Sequence, residues 1–144
     1  MKTRYSSLVS VKKDMMQKSE REFQAKNSVL QKAHKALEDS LLSLGEIAPT
    51  QTGKISDFLA NRALLDIQRG VIRHNEEWVL YAKKDLEDAR KELQKATIEY
   101  EKYKYLELQE IEKIKQEQKR KESKELDEVA LITFANNTKQ RLIS

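Results

Sequence analysis

The chain has 144 residues, 36% of them charged and only 6% aromatic, with three Gly, one Pro, no Cys and a net charge of +4. So little punctuation and so few aromatic residues exclude an ordinary compact globule; this is the composition of long helices and coiled coils, which periodicity must separate from disorder. Without Cys there are no disulfides and no thiolate metal sites. The longest uninterrupted apolar run, Trp78 to Ala82, falls far short of the about 20 residues that span a membrane. The N-terminal MKTRYSSLVSVKKD carries no continuous apolar region of the signal-peptide kind, so a soluble, intracellular protein is expected.

The first element is a helix over about residues 3–46. Stepping by seven along it meets Val9, Met16, Phe23, Leu30, Leu37 and Leu44, all apolar, which is the mark of a coiled-coil seam. Three residues on, the companion column holds Ser19, Ala33 and Ser40 but also Lys12 and Lys26, a weaker seam. A hinge follows over about 45–56, where Gly45, Pro49 and Gly53 collect. Proline removes a helix hydrogen bond and Gly45 suits a helix C-cap.

Ser56 then reads as the N-cap of a second helix, with Asp57 in its first turn, running over about 57–135. Its heptad column is Phe58, Leu65, Ile72, Val79, Leu86, Leu93 and Tyr100. The companion column reads Asn61, Gln68, Asn75, Ala82, Ala89 and Ala96. Alanines let two helices approach closely, and polar amides in a seam fix register. Gly70, inside this helix, marks a candidate kink.

Charge supports pairing between the two helices. Residues 1–44 carry nine basic and five acidic groups, whereas residues 57–112 carry ten and thirteen. Opposite signs and a short hinge make the helices antiparallel. The expected fold is therefore all-α, a coiled-coil hairpin whose second helix is the longer. Matching the columns sets Leu37 opposite Leu65, Leu30 opposite Ile72 and Val9 opposite Leu93, and exhausts the first helix near residue 97. At about 1.5 Å per residue the helices measure roughly 65 and 120 Å, so some forty residues overhang.

The overhang begins at Tyr100, Tyr103 and Tyr105, which either cap the seam beside Tyr5 or offer an aromatic anchor to a partner. It continues into "KRKESKELDEVALITF" (119–134), eight charges in ten positions and then an abrupt apolar turn. Glu117–Lys121, Lys121–Glu125 and Lys124–Glu128 stand at i,i+4 spacing and would support a lone helix. Leu126, Val129, Ala130, Leu131, Ile132 and Phe134 surround it rather than forming one stripe. Asn136-Asn137 is expected to end it, leaving a frayed tail over 136–144.

Catalytic chemistry finds no footing. His34 and His74, the only imidazoles, sit on different helices, and "GEIAPTQTGKIS" lacks the first glycine and preceding strand of a P-loop. The chain reads as a non-enzyme without metal or cofactor. Lys113, Lys115, Lys119, Arg120, Lys121 and Lys124 could meet phosphates, but Glu112, Glu117, Glu122 and Glu125 dilute their field. A basic coiled coil on nucleic acid, or a coiled coil dimerising through its apolar tip, stands as the alternative to a protein-binding stalk.

"RKESKELDEVA" (120–130) resembles the C-terminal signature of the FliJ family, small coiled-coil proteins of the flagellar type III export apparatus. Arg120, Glu122, Lys124, Leu126, Asp127, Glu128 and Ala130 match its pattern, and Ser123 departs from the usual Gln. The likeness extends to chain length, the N-terminal helix, the hinge and the Phe58-Leu59 opening of the second helix. It implies a stalk inserted into the export ATPase hexamer, with Arg120, Lys121, Lys124, Leu126, Asp127, Glu128 and Phe134 at the ring. It also implies that Phe58 and Leu59 meet the cytoplasmic domain of the export gate, although Arg62 stands where an apolar residue is usual. Export chaperones are implied as further partners, nucleic acid and membrane insertion are not, and the place implied is the cytoplasmic face of the flagellar base at the inner membrane, in the service of motility.

Overall fold

The structure, a computed structural model, describes residues 2–47 and 53–143. Two helices account for nearly all of it, α1 (Ser6–Glu46, 41 residues) and α2 (Ile55–Ile143, 89 residues). They pack against each other as a helical hairpin.

Thr3 opens α1. Its hydroxyl accepts a hydrogen bond from the Tyr5 N–H at 3.2 Å, while its own N–H donates to Ser6 Oγ at 2.8 Å. This is a reciprocal capping box with serine at the inner position, satisfying donors that the first turn leaves orphaned. At the other end α1 runs through Gly45 to Glu46, so Gly45 is a helical residue and not the C-cap that was expected. The last turn tightens instead, with the Ile47 N–H on the Leu44 carbonyl at 3.3 Å. Pro49 and the rest of 48–52, the middle of the expected hinge, lie outside the described residues.

The start of α2 also differs from expectation. Lys54, not Ser56, occupies the cap position: its carbonyl accepts from the N–H groups of Asp57 (2.9 Å) and Phe58 (3.4 Å). Its N–H in turn donates to Asp57 Oδ2 at 3.3 Å, so the carboxylate caps the helix from inside its first turn. Gly53 makes this entry possible. Its φ of 147° is a value that side-chain-bearing residues rarely adopt, and a Cβ there would stand 3.0 Å from Asp57 Oδ2. The helix thus starts two residues earlier than expected, less than two turns of it precede the seam at Asn61, and Phe58, expected within the seam, is exposed.

Nor does Asn136-Asn137 end α2, which continues to Ile143. No Gly or Pro follows Gly70 in the chain, and an asparagine inside a helix costs only about 0.7 kcal/mol. Thr138 also returns its hydroxyl to the Phe134 carbonyl at 2.9 Å, within the helix rather than against it.

Two compact units make up the chain, Lys13–Ile98 and the pair Met1–Lys12 with Glu99–Ser144. In the first, the half-buried or buried residues include Met16, Ser19, Phe23, Leu30, Ala33, Ala36, Leu37, Ser40 and Leu44 on α1. They face Asn61, Leu65, Gln68, Ile72, Asn75, Val79, Ala82, Leu86, Ala89, Leu93 and Ala96 on α2. Its tightest point is Ala33, Val79 and Ala82, against which Leu30 and Leu37 pack. Small residues there bring the backbones close, as the alanine column requires.

The register differs from the one matched by columns. Gln68 Nε2 donates to the Ser40 carbonyl at 2.7 Å, and Asn75 Nδ2 to the Ala36 carbonyl at 3.1 Å. Leu37 therefore lies level with the turn Ile72–Asn75, about one heptad beyond Leu65. Lys26 reaches Asp85 at 4.0 Å in the same antiparallel sense. A heptad column looks the same after a slip of seven, so apolar periodicity cannot choose between these registers. Buried amides and close-packed alanines can, because only one register supplies them with carbonyls and room.

In the other unit, Lys12 Nζ lies 3.6 Å from Glu99 Oε2 and 5.6 Å from the Tyr103 ring centre. Arg4 meets Glu110 at 3.7 Å. Val9 thus sits near Tyr103 and not opposite Leu93. Tyr100, Tyr103, Leu106, Glu107, Glu110, Ile111 and Ile114 are half-buried, so this stretch is paired with the N-terminal turns of α1 rather than overhanging. The lysine that weakens the seam on paper has both a carboxylate and an aromatic face to meet it.

Gly70 lies within continuous α2, and a Cβ built on it would touch nothing within 4 Å. Gly70→Ala is expected to stabilise the helix by about 1 kcal/mol, read as a rise of a few degrees in the thermal melt. A fall would mean that the hairpin needs its flexibility there.

Candidate partner-binding surfaces

Every residue from Lys115 to Ile143 is exposed. The last half-buried side chain among the described residues is Ile114, one turn beyond the Arg4–Glu110 ion pair. The overhang is therefore shorter than the column matching suggested, beginning near residue 115 and not at Tyr100.

Arg120, Lys121, Lys124, Asp127 and Glu128 are all on this free stretch, as are Leu126 and Phe134, the latter 72% exposed. None of the expected pairs Glu117–Lys121, Lys121–Glu125 or Lys124–Glu128 closes to an ion pair among the described residues. Their charges stay in water, available to an outside surface. Val129, Leu131, Ile132, Leu142 and Ile143 add apolar area around the same helix. Several large apolar side chains that no intrachain neighbour covers, next to uncommitted charge of both signs, are what a protein partner can dehydrate.

A second candidate surface opens α2. Phe58 and Leu59 are 48% and 63% exposed, one turn after the Lys54 cap, with Arg62 also exposed one turn further. The rigid cap fixes where the two apolar side chains stand; Arg62 breaks the apolar run at the place where it would otherwise continue.

The tyrosines divide. Tyr100 and Tyr103 are half-buried, with Lys104 and Lys102 over their rings at 5.7 Å each. Tyr105 is exposed, and its hydroxyl accepts from Gln109 Nε2 at 2.9 Å. Elsewhere on α2, Arg90 holds Glu87 through two hydrogen bonds, 3.0 and 2.6 Å. That bonding is the main cause of a carboxyl acidity stronger than usual for glutamate. It is a local pair on one helix, three residues apart.

His34 and His74 are both exposed, and no group of three or more His, Cys, Asp or Glu among the described residues is placed to hold a metal. No helix among the described residues is long and apolar enough to cross a membrane.

A further apolar surface lies beside the seam columns. Leu64, Ile67, Val71, His74, Trp78 and Tyr81 are all exposed on α2, at alternating steps of three and four. Each precedes a seam residue by one. Stepping by seven from Leu64 meets Val71 and Trp78, and stepping by seven from Ile67 meets His74 and Tyr81.

The family model for the flagellar FliJ protein matches residues 1–139. No curated protein and no solved structure matches the chain.

Proposed function

The chain belongs to the flagellar FliJ family and is a protein of the flagellar export system; from that premise we propose that it works as a non-enzymatic stalk between the export ATPase ring and the export gate. The free C-terminal stretch of α2 enters the hexameric ring. Arg120, Lys121 and Lys124 meet acidic groups there, Asp127 and Glu128 basic ones, and Leu126 and Phe134 are buried against the ring. Phe58 and Leu59 engage the cytoplasmic domain of the gate, and export chaperones are handed on by the same protein. It acts in the cytoplasm, held peripherally at the flagellar base.

The single observation that carries this reading is the wholly exposed stretch Lys115–Ile143, charged first and apolar after. A helix that leaves so much apolar area uncovered is suited to a partner that covers it. Leu126→Ala and Phe134→Ala should each weaken binding to the purified cognate ATPase about tenfold or more, as for buried anchors at an interface. Binding is followed by titration with a fluorescently labelled chain. Unchanged affinity for both variants would remove the tip from the ring contact.

A further inference from the structure

The exposed stripe Leu64, Ile67, Val71, His74, Trp78 and Tyr81 runs for five turns of α2 inside the unit Lys13–Ile98. Standing one residue ahead of the seam, it lies about 100° round the helix from it. Its steps of three and four are those that let a second helix pack knobs into holes. Trp78 and Tyr81 also wall a shallow groove with His74 and Glu77. Apolar residues scattered singly need no explanation, but a continuous stripe does.

We propose that this stripe pairs with the same stripe of a second copy of the chain, antiparallel, each copy keeping its own hairpin. Laid head to tail about its middle, the stripe sets Leu64 against Tyr81 of the second copy, Ile67 against Trp78 and Val71 against His74. Every layer then joins a larger ring to a smaller aliphatic chain, which fills the space between helices evenly. A parallel pairing would set Trp78 on Trp78 and leave Val71 facing Val71, a bulge beside a void.

Charge favours the same arrangement. The seam residues Gln68, Asn75 and Ala82 border one side of the stripe, where α1 already packs. The free side carries Asp66, Arg73, Glu77 and Lys84, alternating in sign. Antiparallel pairing leaves Asp66 offset by about 7 Å along the axis from Lys84 of the second copy, and Arg73 likewise from Glu77, a gap these side chains span; the reverse pairs follow by symmetry. All four contacts are attractive, whereas parallel pairing about a two-fold axis would turn this free side of each copy toward the side of the other where α1 packs. Arg73, Glu77 and Lys84 make no ion pair among the described residues. Asp66 stands 3.7 Å from Arg69, both well exposed, a surface pair that yields easily to a better one.

The test uses the full chain. Sedimentation equilibrium at about 5–200 µM should show a dimer that Trp78→Glu disrupts by about tenfold or more in Kd, with helicity by circular dichroism unchanged. Glu77→Arg should weaken the dimer, and Arg73→Glu combined with Glu77→Arg should restore it. Since the chain has no native Cys, direction can be read from disulfides. Ile67→Cys mixed with Trp78→Cys should cross-link as the mixed pair, well above either variant alone. A monomer throughout that range overturns the proposal. A dimer indifferent to Trp78→Glu does so too, as do same-site cross-links in excess of mixed ones or failure of the double charge variant to recover.

Discussion

A chain ending at Gln118 is expected to melt as the full chain does and to lose all stimulation of the cognate export ATPase. The first half follows from exposure: residues 119–143 are all exposed and supply no side chain to the buried seam, and the Thr138 hydroxyl bonds locally to the Phe134 carbonyl. Their removal takes away helix but no seam, so the midpoint should move by only about 1–2 °C. The circular dichroism amplitude, by contrast, should fall with the lost turns. The second half follows from what the same deletion removes, Arg120, Lys121, Lys124, Leu126, Asp127, Glu128 and Phe134 together. Phosphate release from the purified ATPase, titrated with each chain, reads the outcome. Equal stimulation by both would move the working surface to Phe58 and Leu59, whose cap the truncation leaves intact.

Ile72→Ala is expected to destabilise the hairpin by about 2–4 kcal/mol, because it empties a buried site that the surrounding helices cannot fully close. Ile72 is 8% exposed and stands a turn from Asn75, whose amide holds the register. For a chain of this size the midpoint should drop by roughly 5–15 °C. Leu37→Ala and Leu86→Ala, at half-buried positions, should cost less, and Lys83→Ala on the exposed face should stay within about 0.5 kcal/mol. Comparable melts for Ile72→Ala and Lys83→Ala would mean that the seam contributes little and that α2 stands largely on its own.

The candidate sites show how far residues can be read without coordinates. The charge-then-apolar tip was visible as composition, since eight charges in ten positions cannot be a core. The stripe through Trp78 is legible too, as a second heptad one residue out of phase with the seam. What composition could not give was the point at which the tip becomes free. That depends on how far α1 reaches along α2, and the answer, near residue 115 instead of 100, rests on Arg4 meeting Glu110.

By itself, the sequence determined two helices, their antiparallel sense and which face of each is buried. Those follow from heptad spacing, from breakers gathered at Gly45, Pro49 and Gly53, and from opposite net charge, all of which are local or additive along the chain. Only the tertiary structure decided the register and the helix ends. A seven-residue repeat is degenerate under slips of seven, so choosing among them takes contacts between residues far apart in sequence, Gln68 with Ser40 and Asn75 with Ala36. The start of α2 was settled by local geometry, which the residue pattern alone did not place. Asp57 reaches back to the Lys54 N–H where Gly53 turns the chain through a conformation that would strain any residue with a side chain.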